Sequence, residues 1–373
     1  MDLCDLEILE SLGQYGPRNI TAIARKLQLA EATLRRRIRR MSDQIFLRAN
    51  VYHTNIGLRK TIVFARASQG YENLLFDCLN AHDYVIYSSR CYGLFDGCVA
   101  IFAIPTERCL DFERFLEHLK NRGIAAHIEH SWSTCFQTVN LRCKWYNKYT
   151  QSWEFFWEEW IEQVLSESTD LPFTLVDPAA YPLKADEIDI FLLKELEVDA
   201  TVTLKDVANK LDRSVPLIKY HYDRHVIGRR LLEDFQIVYY PFDKSTSNGF
   251  YFRFMFENLE NMAKFARSLL DKPFALSIGK IFGRPALFAY IYLPMSQLRE
   301  FLDSLGRLIR IGFLNRYEYV LQDMVTQKRF TIPYTCFDNG SWRYDHDKFL
   351  RAVDSLTEAD VALIAEKAVA LSY

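Results

Sequence analysis

The densest chemistry in the chain is a run of five arginines in six positions, Arg35, Arg36, Arg37, Arg39 and Arg40. Leu34, Ile38 and Met41 sit among them at i, i+4 and i+7, the spacing of one inward-packed stripe of a helix. Guanidinium groups then cover the other faces, a surface suited to phosphates and to guanine edges in duplex DNA. Ala32, Thr33, Arg36 and Arg40 project away from the stripe, toward base edges, while Arg35, Arg37 and Arg39 flank it toward phosphates. A merely solvated charge run is the competing reading, but the glutamates that usually break up such a run are missing between 32 and 40.

A second set, Lys219, Tyr220, His221 and Arg224, is a weaker phosphate binder on charge alone. From Lys184 to Pro241 nine basic residues meet eleven acids. His221 and His225 have the i, i+4 spacing of a metal pair, but no third ligand stands near them in sequence, so no metal and no cofactor is expected. Gly93, Asp96 and Gly97 in one turn, and Gly279 and Gly283 in another, are candidate effector contacts, because glycine lets backbone approach a ligand. Simple tight turns are the alternative there.

These residues need elements to hold them. Leu3, Leu6, Leu9 and Leu12 recur at helical spacing, Thr21–Leu27 and Glu31–Met41 follow as two short helices, and Ile45–Val51 reads as the hairpin of a wing. That is a winged helix-turn-helix. After Gly57 strands at 61–67, 84–90, 99–104 and 125–130 alternate with helices at 72–80 and 106–120, the βαββαβ order of a ferredoxin-like plait whose second sheet face needs a partner. The pattern returns: Cys4–Leu12 aligns with Ile188–Leu196 and Ala22–Leu29 with Asp206–Arg213, both 184 residues on, and Arg37 falls on His221. Pro105, Phe112, Leu116 and Gly123 match Pro294, Phe301, Leu305 and Gly312, each 189 residues on.

The expected fold class is therefore α+β, two copies of a winged helix-turn-helix followed by a ferredoxin-like domain. The expected domains are 1–55 and 56–140, an aromatic helix and linker at 141–183, then 184–243 and 244–330, with an extension at 331–373. The aromatic stripe Trp153, Trp157, Trp160 and Ile161 reads as packing. Leu356–Ala370 reads equally as a terminal helix or as the start of a third winged unit.

A chain of 373 residues with 49% apolar content is ample for two or three buried cores. A net charge of −2 means that nucleic-acid contact must come from local clustering. Eight cysteines without a CxxC pair exclude a zinc ribbon and a redox dithiol. No cationic leader and no apolar run of membrane length is present, and the expected location is cytoplasmic, with no membrane partner.

Asp5-x-x-Ile8-Leu9, Ile23-Ala24, Leu34-x-x-Arg37-Ile38-x-x-Met41 and Gly57-Leu58, with Gly93-x-x-Asp96-Gly97 before the third plait strand, carry a resemblance to the leucine-responsive regulatory protein (Lrp/AsnC) family, here in tandem. The second copy departs from it, with Pro285 in place of Asp96 and His221 in place of Arg37. The resemblance implies a transcription regulator that is not an enzyme. Its third helix would lie in the major groove of double-stranded DNA, and its plaits, of the ACT or RAM kind, would pair and bind a small effector such as an amino acid. In one chain the pairing could be an intramolecular pseudo-dimer or part of a homodimer.

Two rivals stand beside it. Siroheme decarboxylases resemble the same layout, and a tetrapyrrole enzyme would draw on His127, His130 and His346, although no motif concentrates them. An architectural DNA-binding protein without effector response is the other. Nothing resembles a nucleophile elbow, a phosphate loop or a paired-carboxylate site.

Overall fold

The computed structural model describes residues 2–43, 45–139 and 141–371, with side chains through 362. Helix α1 (Leu3–Tyr15) starts at a reciprocal cap in which the Asp2 and Asp5 carboxylates each accept the other's backbone N–H. With α2 (Ile20–Lys26) and α3 (Glu31–Met41) it encloses a small core of Leu6, Leu9, Ile23, Leu34 and Met41. Strand β1 (Phe46–Val51) follows, then β2 (Leu58–Ala67), α4 (Glu72–Asn80), β3 (Val85–Gly93), β4 (Gly97–Pro105), α5 (Cys109–Asn121) and β5 (Ala125–Thr138). A short hairpin of β6 (Tyr146–Asn147) and β7 (Ser152–Trp153) leads into α6 (Trp157–Ser166).

The second half runs through the same order. It comprises α7 (Glu187–Val198), α8 (Leu204–Leu211), α9 (Val215–Tyr220) with a π-helical continuation at His221–Ile227, and β8 (Leu232–Val238). Then come β9 (Ser247–Met255), α10 (Leu259–Leu269), β10 (Ala275–Ile281), β11 (Ala286–Pro294), α11 (Met295–Arg310) and β12 (Arg316–Gln322). Strand β13 (Lys328–Arg329), the hairpin of β14 (Phe337–Asp338) and β15 (Ser341–Trp342), and α12 (His346–Leu371) complete the chain.

The wings differ from expectation. Neither half folds a local hairpin: β1 pairs antiparallel with β8 of the other half, Arg48–Gln236 and Asn50–Asp234 lying symmetrically about Ala49–Phe235. A lone strand with no turn and return strand beside it must find its hydrogen bonds elsewhere, and the matching strand of the other half supplies them.

The two plaits meet by their open faces, as the sequence requires, and also by their edges. Strand β5 pairs with β10 (Thr138–Ser277, Gln137–Ile278) and β12 pairs with β3 (Val320–Gly93, Gln322–Cys91), so the sheet closes into a barrel. Closure removes the edges that each plait alone would leave open. Ile62, Phe64, Val99, Tyr251, Phe288 and Val320 fill the interior.

Each trailing segment covers the other half's plait. Trp160 of α6 is fully buried against Phe265, Phe274 and Phe301, its indole N–H donating to Ser268 Oγ at 3.2 Å. Helix α12 lies on α4 and α5, with Phe349 stacked on His82 and Asp354 accepting from Arg122 Nε at 2.7 Å. It is one continuous helix, as both readings of Leu356–Ala370 expect, and the side chains from 363 onward lie outside the described residues.

Candidate active site and nucleic-acid face

Where the β1–β8 ribbon crosses the barrel it leaves an open cleft with a cavity volume of about 140 Å³. The ribbon contributes Asn50, Val51, Glu233 and Gln236, the barrel Lys60, Tyr87, Tyr251 and Tyr290, and the strand after the barrel Arg329. Lys60 is 6% exposed, and its Nζ donates to Glu233 Oε1 at 3.2 Å. Burial opposes the Lys60 charge, yet the attraction of Glu233 outweighs it and holds the ammonium above the usual lysine range. Burial pushes the Glu233 carboxyl above the usual carboxylate range, against the pull of Lys60.

His53 lies beside this pair, 3% exposed. Its Nδ1–H donates to the Val51 carbonyl at 2.8 Å, which leaves Nε2 as the lone-pair nitrogen. Burial, with the neighbouring Lys60 charge, holds the ring well below the usual histidine range, so it is neutral. His53 Nε2 and Glu233 Oε2 are buried without a protein partner among the described residues, two polar atoms that a bound molecule or water must satisfy.

Two further carboxyls, Glu197 of the cleft lining and Asp234 of the ribbon, hold their protons toward neutrality. Burial pushes Glu197 up to about 7, against the Ile332 N–H at 2.7 Å and the charges of Lys60, Arg329 and Arg48. Asp234 is likewise pushed up to about 7, by burial and then by Glu233. On the barrel side Tyr87 and Tyr251 share a hydrogen bond, Ser89 Oγ lies 3.1 Å from the Tyr251 hydroxyl, and Gln322 Nε2 donates to Tyr87 at 2.7 Å. Burial pushes the Tyr87 phenol up to about 12 and holds Tyr251 and Tyr290 well above the usual phenol range. The cleft thus holds cations, neutral proton donors and one unprotonated imidazole nitrogen. Cys135, close by, is pushed up to about 12 by burial and is no thiolate nucleophile.

The sequence reading missed this site. His53 and Lys60 are single residues in unremarkable runs, and only chain reversal between the halves brings Glu197 and Glu233 beside them. His127, His130 and His346 do not line the cleft. Nor do Gly93, Asp96, Gly97, Gly279 and Gly283, the expected effector contacts. Gly97 presses on the Ala65 carbonyl, where an added Cβ would sit 2.0 Å away, and at Gly279 it would sit 2.3 Å from the Phe136 ring. Gly97 thus allows close packing of β4 on β2, and Gly279 allows it at the β10–β5 seam.

On α3 Leu34 and Met41 are buried and Arg35, Arg36, Arg39 and Arg40 are exposed, with Thr33 half-buried. Arg37 turns back: its Nη1 donates to Asp2 Oδ2 at 2.9 Å and Asp5 Oδ1 at 2.8 Å, and Arg40 Nη2 donates to Asp5 Oδ2 at 2.6 Å. Arg37 is therefore a structural cation that neutralises a buried carboxylate, not a free phosphate contact. In the second head Tyr220 and Arg224 are exposed, and Lys219 is exposed but donates to Asp223 at 2.6 Å. His221, expected on the outer face, is 6% exposed and directed at Asp189. It takes the inward position that Arg37 takes in the first head.

No helix among the described residues is long and apolar enough to cross a membrane. A search of curated proteins finds no match. Among solved structures, the siroheme decarboxylase NirDL agrees along 95% of this chain and 99% of its own, at 12% identity and a TM-score of 0.51. The same enzyme in complex with an iron-uroporphyrin III analogue agrees over 95% and 98%, at 13% identity and 0.52. An AsnC family regulator from Agrobacterium tumefaciens matches 35% of this chain and 89% of its own, at 17% identity and 0.29. The expectation that the chain is not an enzyme is corrected by the full-length agreement, since the fold it shares from end to end is that of a decarboxylase. Residues 1–42 match the AsnC-type helix-turn-helix profile, and the N-terminal head belongs to that domain family.

Proposed function

We propose that the cleft binds a carboxylate-bearing tetrapyrrole and decarboxylates it. The observation that carries this reading is the buried Lys60–Glu233–His53 group facing three phenols across the cleft, in a fold shared along its length with a siroheme decarboxylase. Loss of CO2 breaks the bond between a side-chain carbon and its carboxylate, and the electron pair passes to that carbon and the conjugated ring beside it. One proton must then be delivered, and no oxidant or reductant is needed. Lys60 and Arg329 attract substrate carboxylates, while Glu197, pushed up to about 7, and the Tyr87–Tyr251 phenols can give up a proton to the cleft. His53 Nε2 accepts a hydrogen bond or a proton.

Mixing the purified chain with siroheme or iron-uroporphyrin III tests this: a shifted visible absorption band, then product lighter by whole CO2 units, is the expected result. Lys60→Met/Glu233→Gln, which removes both charges of the buried pair, should retain the fold and lose turnover. A chain that leaves the tetrapyrrole spectrum and mass unchanged refutes the proposal.

The exposed arginines of α3 and the matched head support a second reading, a regulator of Lrp/AsnC type that contacts duplex DNA through Thr33, Arg35, Arg36 and Arg39, with Arg40 held on Asp5. In this reading the halves are a duplicated module, with the sequence-drawn domain limits, and act as an intramolecular pseudo-dimer. An affinity for duplex DNA that falls steeply with salt and is lost in Arg36→Ala/Arg39→Ala supports it; salt-independent or unaltered binding does not.

A further inference from the structure

We propose that the second head carries a structural zinc site, or a site for a zinc-like divalent cation, formed by Asp186, Asp189, His221 and His225. Each residue offers one ligand atom, and the four atoms lie within 4.8 Å of one another. His221 Nδ1 is 2.8 Å from Asp189 Oδ1, and His225 Nδ1 is 3.1 Å from that oxygen and 3.6 Å from Asp186 Oδ2. Ligand bonds of about 2.0–2.2 Å in a tetrahedron set neighbouring donors roughly 3.4 Å apart, so the closest pairs must open by about half an ångström and the widest close by up to about 1.4 Å to enclose an ion. Two imidazoles with two carboxylates is a donor set for zinc and its first-row neighbours rather than for calcium or magnesium.

The carboxylates are oriented before any ion arrives. The Asp186 N–H donates to Asp189 Oδ2 at 3.1 Å and the Asp189 N–H to Asp186 Oδ1 at 3.0 Å, the reciprocal cap of α7, and the same two oxygens lie 2.9 Å from His225 Nδ1 and 3.5 Å from His221 Nδ1, so the cap holds both carboxylates against the histidines. The first head builds the same cap from Asp2 and Asp5 and fills it with the Arg37 and Arg40 guanidinium groups. In the second head His221 stands at the Arg37 position. Asp189 is fully buried, and a buried carboxylate requires compensating charge. A divalent cation supplies in the second head what fixed arginines supply in the first. The π-helical turn at His221–Ile227, where α3 is plain α-helix, carries both imidazoles to the cap. Asp186, whose side chain is 42% exposed, leaves a route to solvent.

One contact opposes binding as it stands. Arg229 Nη2 lies 2.9 Å from His225 Nε2, and ligation through Nδ1 places a proton on Nε2, so the exposed Arg229 must swing away. Removing it should therefore tighten binding, an effect that a chance cluster would not show.

The test is titration of the full reduced chain with Zn2+ by calorimetry, with Co2+ as a visible-absorption probe of four-coordinate geometry. The expected result is one equivalent bound with an intense tetrahedral cobalt band that zinc displaces. His221→Arg/His225→Met, which restores the side chains found in the first head, should keep the fold and weaken binding at least about 100-fold. Arg229→Ala should tighten it. No saturable equivalent and no cobalt band in the unaltered chain overturns the proposal, as does equal binding in the double variant, and weaker binding in Arg229→Ala overturns Nδ1 ligation by His225.

Discussion

Glu197→Gln should make the protein more stable at alkaline pH and leave it unchanged at acid pH. The Glu197 carboxyl is moved from its ordinary 4.5 to about 7, with burial as the leading cause. A raised folded-state value means that the folded chain holds the proton more tightly than the unfolded chain. The stabilisation is complete below about 4.5 and is lost as pH climbs through about 7. Each unit corresponds to about 1.4 kcal/mol, which sets an upper bound near ~3 kcal/mol. The side chain is half-buried rather than sealed, and halving the bound leaves roughly 2 kcal/mol. Glutamine keeps an oxygen for the Ile332 N–H and never ionises, so it escapes this loss. Urea unfolding followed by tryptophan fluorescence at about pH 4.5 and pH 8.5 measures the difference at each end. Asp234 titrates in the same window in both proteins and cancels. A gain of about 2 kcal/mol confined to the alkaline end is expected; an effect of equal size at both ends, or a loss at the alkaline end, refutes the electrostatic account of this cleft.

Trp160→Ala removes the fully buried anchor of α6 and should cost about 3–5 kcal/mol in denaturant unfolding. Arg37→Ala strips one of two cations from the buried Asp5 carboxylate and should lower stability by about 1–2 kcal/mol, whereas Arg36→Ala should fall within about 0.5 kcal/mol of the parent. Gly279→Ala drives a methyl into the Phe136 ring at a barrel seam and should cost about 1–3 kcal/mol, read as a lower melting temperature.

Much of the fold could be read from local pattern, because local pattern is what makes helices and strands. The strip Leu34, Ile38 and Met41 and the βαββαβ order both survive in the structure. What failed was partnership at long range. Nothing near Ile45–Val51 says that its strand partner lies at Leu232–Val238, or that α6 and α12 each cover the opposite half. The candidate site depends on those exchanges. Lys60 and Glu233 are 173 residues apart, and neither carries a local signal of its partner. The arginine run was legible as charge, but its division into Arg37, spent on Asp2 and Asp5, and the outward Arg36 needed the cap geometry of α1.

The two readings of this chain share one piece of machinery. The β1–β8 ribbon hangs directly from the two heads, and it is also the wall that brings Asn50, Val51, Glu233 and Gln236 to the cleft. Asn50 Nδ2 donates to Asp234 Oδ1 at 2.7 Å within the ribbon and to Thr138 on the barrel, and Arg18 Nη2 of the first head donates to the Val202 carbonyl of the second at 2.5 Å. A head therefore cannot shift without moving the lid of the cleft. For a regulator that coupling would transmit an occupant of the cleft to DNA. For an enzyme it would make the heads a clamp on the cleft. By reciprocity, a tetrapyrrole that tightens the clamp must alter duplex affinity by the factor with which DNA alters tetrapyrrole affinity. A factor of one, measured in both directions, assigns the heads to scaffolding.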